Sequence, residues 1–246
     1  MVTQSQNDGP ASGGSISFSQ VVELSWPVKP GIPRWPGDPD VEFQTVAEIE
    51  QDGYFLRRFS MGEHSGTHFS APSGFLSGAP GQEGYSPDDL VRQAIAIDVS
   101  GQAATNPDYA LTVNDVLNWE SDHGSVPQGS LVLLHTGWQT KWSNPADYMG
   151  GAASDRLHFP GFGLESAEVL LNRRGVAGLG IDTAGAEPGS DTSFSVSRLA
   201  LESRLIVLEN LRNLDLLPAT GTLVVIGLLR LEGGSGCPAS VTALVP

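Results

Sequence analysis

The sequence predicts an α/β fold, with a mixed central sheet that is parallel in part and helices flanking it. Short apolar runs bounded by turn residues recur along the chain, "AIAIDVS", "SLVLLHTGW", "VAGLGID", "RLIVLENL" and "TLVVIGLLRL", in the pattern of buried strands. Helical signals lie between them, and alternation of the two favours crossovers on a partly parallel sheet. The chain of 246 residues is 39% hydrophobic, enough for a sizeable core.

The first 15 residues are rich in Gly, Ser, Asn and Gln, with few apolar anchors, and read as a flexible tail; residues 16–246 read as one domain. Ordered structure is expected to begin at "SFSQVVELSW". "GIPRWPGDPDVEF" is a Pro- and Gly-punctuated loop that carries Trp35, either at the core edge or on a pocket wall. "YFLRRFSMGEH" reads as extended. "LTVNDVLNWESDHG" opens with Thr112 and Asp115 at capping-box spacing, and "GLESAEVLLNRRG" is amphipathic and closes on Gly175.

Charge and composition narrow the function. A formal net charge of −15 argues against nucleic acid and anionic membrane surfaces, both of which need a basic footprint. No signal-peptide pattern and no membrane-length apolar run is visible, so the cytoplasm is the expected compartment and a small molecule the expected partner. The single cysteine, Cys237, excludes an intramolecular disulfide and any Cys-rich zinc site. It reads as a small buried hydrophobe.

The chemistry is concentrated in "MGEHSGTHFSAPSGF", which holds two of the five histidines, His64 and His68. Gly66 and Pro72 argue against a helix, but a turn can still converge the two imidazoles. They read as two arms of a metal site, as a general acid or base beside Thr67, Ser70 and Ser73, or as structural histidines. Glu63 precedes His64 and on a strand would point the opposite way, as a solvated or ion-paired acid. His135 and Trp138 follow a strand end and read as pocket lining or as structural residues. His123 and His158 read as surface residues. Asp182 ends a strand, facing a cleft or capping a loop. No nucleophile elbow, P-loop or dinucleotide fingerprint is present.

The segment His64-Ser-Gly66-Thr67-His68-Phe-Ser70-Ala-Pro72-Ser-Gly74 resembles the H-x-G-T-H-x-D-x-P-x-H motif of the cyclase family, which includes bacterial kynurenine formamidase and isatin hydrolase. "ELSWPVKPGIPRWPGDP", "FPGFGLESAEVLLNRRGVAGLGIDT", "ENLRNLDLLP" and "GGSGCPASVTALV" extend the resemblance through most of the chain, in the family's order. The resemblance implies a swivelling β/β/α architecture, a homo-oligomer, and a zinc or manganese centre. His64, His68 and Glu209 match family metal positions. Ser70 stands at the motif aspartate, Gly74 at the last motif histidine, and Ser197 at the histidine twelve before Glu209.

A neutral hydroxyl cannot bridge two cations as a carboxylate does, so at most one metal is expected, held by His64 and His68 with Glu209 as third ligand or as base. Trp35, Ser70 and Ser197 are the candidate substrate contacts. The expected reaction is hydrolysis of a C–N bond in a small amide, formamide or lactam by metal-activated water. A metal-independent cyclase, dehydratase or isomerase of specialised metabolism is the alternative, and a non-catalytic binder is a third.

Overall fold

The computed structural model describes residues 15–151 and 156–246, so all but the last residue of the N-terminal tail lies outside the described residues. Twelve strands form in chain order: β1 (Gln20–Glu23), β2 (Glu42–Ala47), β3 (Leu56–Ser60), β4 (His68–Ser70), β5 (Val91–Asp98), β6 (Ala110–Leu111), β7 (Leu131–His135), β8 (Gly161–Phe162), β9 (Gly178–Ile181), β10 (Ile206–Glu209), β11 (Thr222–Leu228) and β12 (Gly236–Val245). The helices are α1 (Ile49–Asp52), α2 (Ser100–Thr105), α3 (Val113–His123), α4 (Pro145–Tyr148), α5 (Leu164–Glu168) and α6 (Ser195–Glu202).

The main sheet runs β1-β12-β11-β5-β7-β9-β10-β4, and an additional β12–β4 pairing closes it into a barrel. The expected mixed sheet is present: β5, β7, β9 and β10 are mutually parallel, while β4, β11 and β12 join antiparallel. β12 can serve both roles because its first residues pair with β4 and its last ones with β1. The five apolar runs became β5, β7, β9, β10 and β11. β12 has no such run, since its Gly, Cys, Pro, Ser and Thr residues give little apolar signal.

Strand alternation divides the core in two. Leu131 and Leu133 of β7 point into the barrel with Phe69, Leu208, Val224 and Val241. Val132 and Leu134 point outward under the helices, with Val116 of α3 and Leu170. The capping box at the start of α3 forms as expected, with Asp115 N–H donating to Thr112 Oγ1 at 3.2 Å and Thr112 N–H to Asp115 at 2.8 Å. The amphipathic run after Gly163 departs from its expected form. It is α-helical only through Glu168 and then widens into a π turn over Val169–Arg173.

A third apolar cluster, with Trp138, Trp142, Tyr148 and Phe159 at its centre, anchors the N-terminal loop that carries Trp35. β2 and β3 form a separate hairpin on which every residue of β3 is exposed.

Candidate active site

β4 is only three residues long, and its alternation places the site. Phe69 points into the barrel, so His68 and Ser70 face the other way. On the neighbouring strand Leu208 points in and Glu209 points out. The antiparallel register sets Glu209 directly opposite His68, which makes their side chains cross-strand neighbours on one face.

The turn before β4 shapes the rest. Gly66 takes φ +66°, a left-handed conformation that suits glycine. Its carbonyl then accepts from His68 Nδ1 at 3.0 Å and from Asn210 Nδ2 at 2.9 Å. His68 Nε2 lies 2.6 Å from Glu209 Oε2, an ion-pair contact whose N–H does not lie along a hydrogen-bond line. Burial opposes charge on both groups. The carboxylate nevertheless raises the pKa of His68, and His68 lowers that of Glu209, so the two form a buried ion pair.

His64 has a different environment. Burial, and then the charge of His68, lower its pKa and keep the ring neutral. Ser70 Oγ lies 3.4 Å from His64 Nδ1, and Ser235 Oγ lies 3.1 Å from His64 Nε2. Gly236 makes room for this ring, since a Cβ there would come within 2.6 Å of His64 Cε1.

Glu63 departs from expectation. Residues 62–66 turn rather than run as a strand, so alternation does not apply, and Glu63 Oε2 accepts from Ser235 N–H at 2.7 Å and Ser235 Oγ–H at 2.6 Å. His158 also differs from its surface reading. It is half-buried, with Nδ1 2.8 Å from Asp108 Oδ2.

His64, His68, Ser70, Glu209 and Ser235 line a cavity of about 330 Å³. Trp35, Phe75 and Phe194 supply its aromatic wall, with Phe194 centred 5.6 Å from Trp35 and 5.4 Å from Phe75. Phe194 reaches both from a left-handed backbone, φ +56°, which is strained for so bulky a residue. Trp35, Ser70 and Ser197 all line the cavity.

Glu187, which had no sequence signal, lines it too. Its carboxylate accepts from Ser197 N–H at 2.8 Å and contacts Ser197 Oγ at 3.1 Å. Burial pushes its pKa up to about 7, against the pull of the Ser197 N–H and with the help of the Glu209 charge.

The other candidates lie elsewhere. His135 pairs with Asp98 beside a second hollow, and His123 is exposed and packs on Trp119. Asp182 is fully buried and accepts from Thr136 N–H and Oγ–H, a structural role. Cys237 is buried in the barrel, and burial pushes its thiol up to about 11.

The metal expected from the resemblance was held by His64, His68 and Glu209. All three reach this cavity, but their donor atoms are engaged by protein. Glu209 Oε2 lies against His68, Glu209 Oε1 accepts from Ala186 N–H, and both nitrogens of His64 face serine hydroxyls. Among the described residues no three His, Cys, Asp or Glu side chains are grouped to hold a metal ion. Two imidazoles and a carboxylate are ligand types that a divalent cation takes, but as held here they do not converge on one point, and it is this arrangement that does not fit a cation.

Residues 22–188 match the Cyclase protein-family profile. The chain belongs to the cyclase family. Among cyclase-family relatives, an isatin hydrolase of Roseibium aggregatum is 33% identical over 218 residues, covering 85% of this chain and 82% of the relative. A kynurenine formamidase of Erythrobacter litoralis is 21% identical, covering 94% of this chain and 96% of its own. The solved structure of isatin hydrolase A from Labrenzia aggregata superposes with a TM-score of 0.86 at 30% identity, over 92% of this chain and 93% of that one. The barrel is therefore the cyclase-family fold, and the relatives named are hydrolases.

Proposed function

We propose that this cyclase-family enzyme hydrolyses a C–N bond in a small planar amide, formamide or lactam. The cavity carries the reading: its volume of about 330 Å³ lies in the range of small-molecule sites, and an aromatic wall of mutually tilted rings stands beside a base and an acid. The relatives support the bond type, since isatin is a cyclic amide and a formamidase cleaves an N-formyl group.

Two groups are set for opposite proton transfers. His64, held neutral, accepts the proton of the attacking group. Glu187, its pKa pushed up to about 7, carries a proton in about half the molecules at neutral pH, ready for the departing nitrogen. The His68–Glu209 pair fixes β4 against β10 and sets a positive imidazolium beside the developing oxyanion.

The test is a panel of lactams and N-formyl anilines, assayed with protein purified without added metal and analysed for metal content. We expect turnover that survives chelation, with kcat falling roughly 100-fold or more in His64→Ala and in Glu187→Gln. No turnover with or without added zinc or manganese removes the reading. Activity proportional to bound metal restores the three-ligand site in its place.

A further inference from the structure

We propose that Ser70 is the nucleophile of this site, activated through a hydrogen-bonded chain from Ser70 to His64 to Ser235 to Glu63. The inference rests on the C–N hydrolase reading and adds the identity of the attacking atom. Ser70 occupies the position where the family resemblance implies a carboxylate ligand, and its hydroxyl brings different chemistry to that place.

The contacts fix the direction of each proton. The Glu63 carboxylate only accepts, so the Ser235 hydroxyl proton points to it across 2.6 Å. Ser235 Oγ is then free to accept from His64 Nε2–H at 3.1 Å. This tautomer leaves the lone pair on His64 Nδ1, which faces Ser70 Oγ at 3.4 Å. A base oriented by an acceptor on one nitrogen, with its other nitrogen toward a hydroxyl, is the arrangement that activates a serine. Here a serine hydroxyl stands between the imidazole and the carboxylate. The 3.4 Å separation is long, and catalytic hydrogen bonds of this kind commonly tighten only with substrate in place.

Three features make the chain a built arrangement. Ser235 is held by two bonds to one carboxylate oxygen, through its N–H and its hydroxyl. Gly236 clears space for the His64 ring, and Ser70 is fixed between β10 and β12, opposite Val207 and Gly236. Ser70, His64 and Ser235 all line the cavity.

The steps balance with water as the only co-reactant. Ser70 Oγ bonds to the carbonyl carbon while its proton passes to His64 Nδ1. The C–N bond breaks as the nitrogen takes the proton of Glu187, leaving an ester on Ser70, a protonated His64 and an ionised Glu187. Water adds to the ester and gives a proton to Glu187. The Ser70 oxygen departs with the proton of His64, which releases the acid and restores every group.

A fluorophosphonate probe, followed by intact-protein and peptide mass spectrometry, tests the nucleophile without knowledge of the substrate. A single adduct on Ser70 is expected, absent in Ser70→Ala and formed at least about 100-fold more slowly in His64→Gln. Glu63 and Ser235 are positioning residues. Glu63→Gln is expected to lower kcat and labelling rate about 10-fold or more with KM nearly unchanged, and Glu63→Asp to recover part of the loss.

Failure of Ser70 to label, or wild-type turnover by a folded Ser70→Ala enzyme, overturns the proposal. Labelling of Ser70 with no turnover of any amide or lactam supports the nucleophile and overturns the C–N reading, so the two failures are distinct.

Discussion

Glu187 is the carboxylate whose environment departs most usefully from water. Its ordinary pKa of 4.5 rises to about 7 in the fold, so between those values the folded chain binds more protons than the unfolded one. Stability therefore falls as pH rises through that window. Above pH 7 the buried charge costs the fold on the order of 3 kcal/mol. Glu187→Gln removes this dependence while keeping an acceptor for Ser197. Urea unfolding should show the stability difference between wild type and variant changing by about that amount between pH 4.5 and 8, with wild type relatively weaker at high pH. A constant difference across that range excludes a raised pKa, and with it the acid assigned to the leaving nitrogen.

At the scale of elements, local chemistry was legible and long-range pairing was not. The runs of β7, β9 and β10 could be read because these strands are buried on both faces, those of β5 and β11 because their residues are apolar even where one face is partly exposed, and α3 announced itself through Thr112 and Asp115. The closure of the barrel could not be read, because β4 is three residues long and β12 is built of small and polar residues. The same division holds in the site. His64, His68 and Glu209 carry motif signals, whereas Glu187 and Ser235 arrive on loops from distant parts of the chain. Glu63 was misjudged because a strand was assumed where the chain turns.

The β2–β3 hairpin is the element with the most exposed apolar surface to account for. An isolated two-stranded ribbon is marginal in water, yet this one exposes Ile49, Tyr54, Phe55, Leu56 and Phe59. Its Arg57 lies 4.2 Å above the Phe43 ring, while Glu42, Glu48, Glu50 and Asp52 leave the arm net acidic like the rest of the chain, so apolar surface is what it offers. The expectation under test is that a second copy of the chain covers this apolar surface. Sedimentation should show a homo-oligomer at micromolar concentration, and Phe55→Asp with Phe59→Asp should shift it toward monomer without lowering secondary-structure content. A wild-type monomer under the same conditions ends that assignment.

At the scale of the whole molecule, the strand that closes the barrel is also the strand that bears His68 and Ser70 of the candidate site. Phe69 is fully buried between His68 and Ser70, with its ring 4.8 Å from that of Tyr85 inside the barrel. Its packing holds β4 in register with both β10 and β12, and so sets the distances from Ser70 to His64 and from His68 to Glu209. Truncation to alanine removes a large core side chain and should cost roughly 3–5 kcal/mol. Leu170 is equally buried, but it lies in the helix-side cluster away from β4, and Leu170→Ala should cost about 2–5 kcal/mol. Both variants should therefore melt at lower temperature than wild type. Well below either melting point, Phe69→Ala should lose kcat by about 100-fold, because an ångström of misplacement at a reacting centre costs that much. Leu170→Ala should stay near wild type. Equal activities in two comparably destabilised variants would mean that β4 closes the barrel without positioning the site.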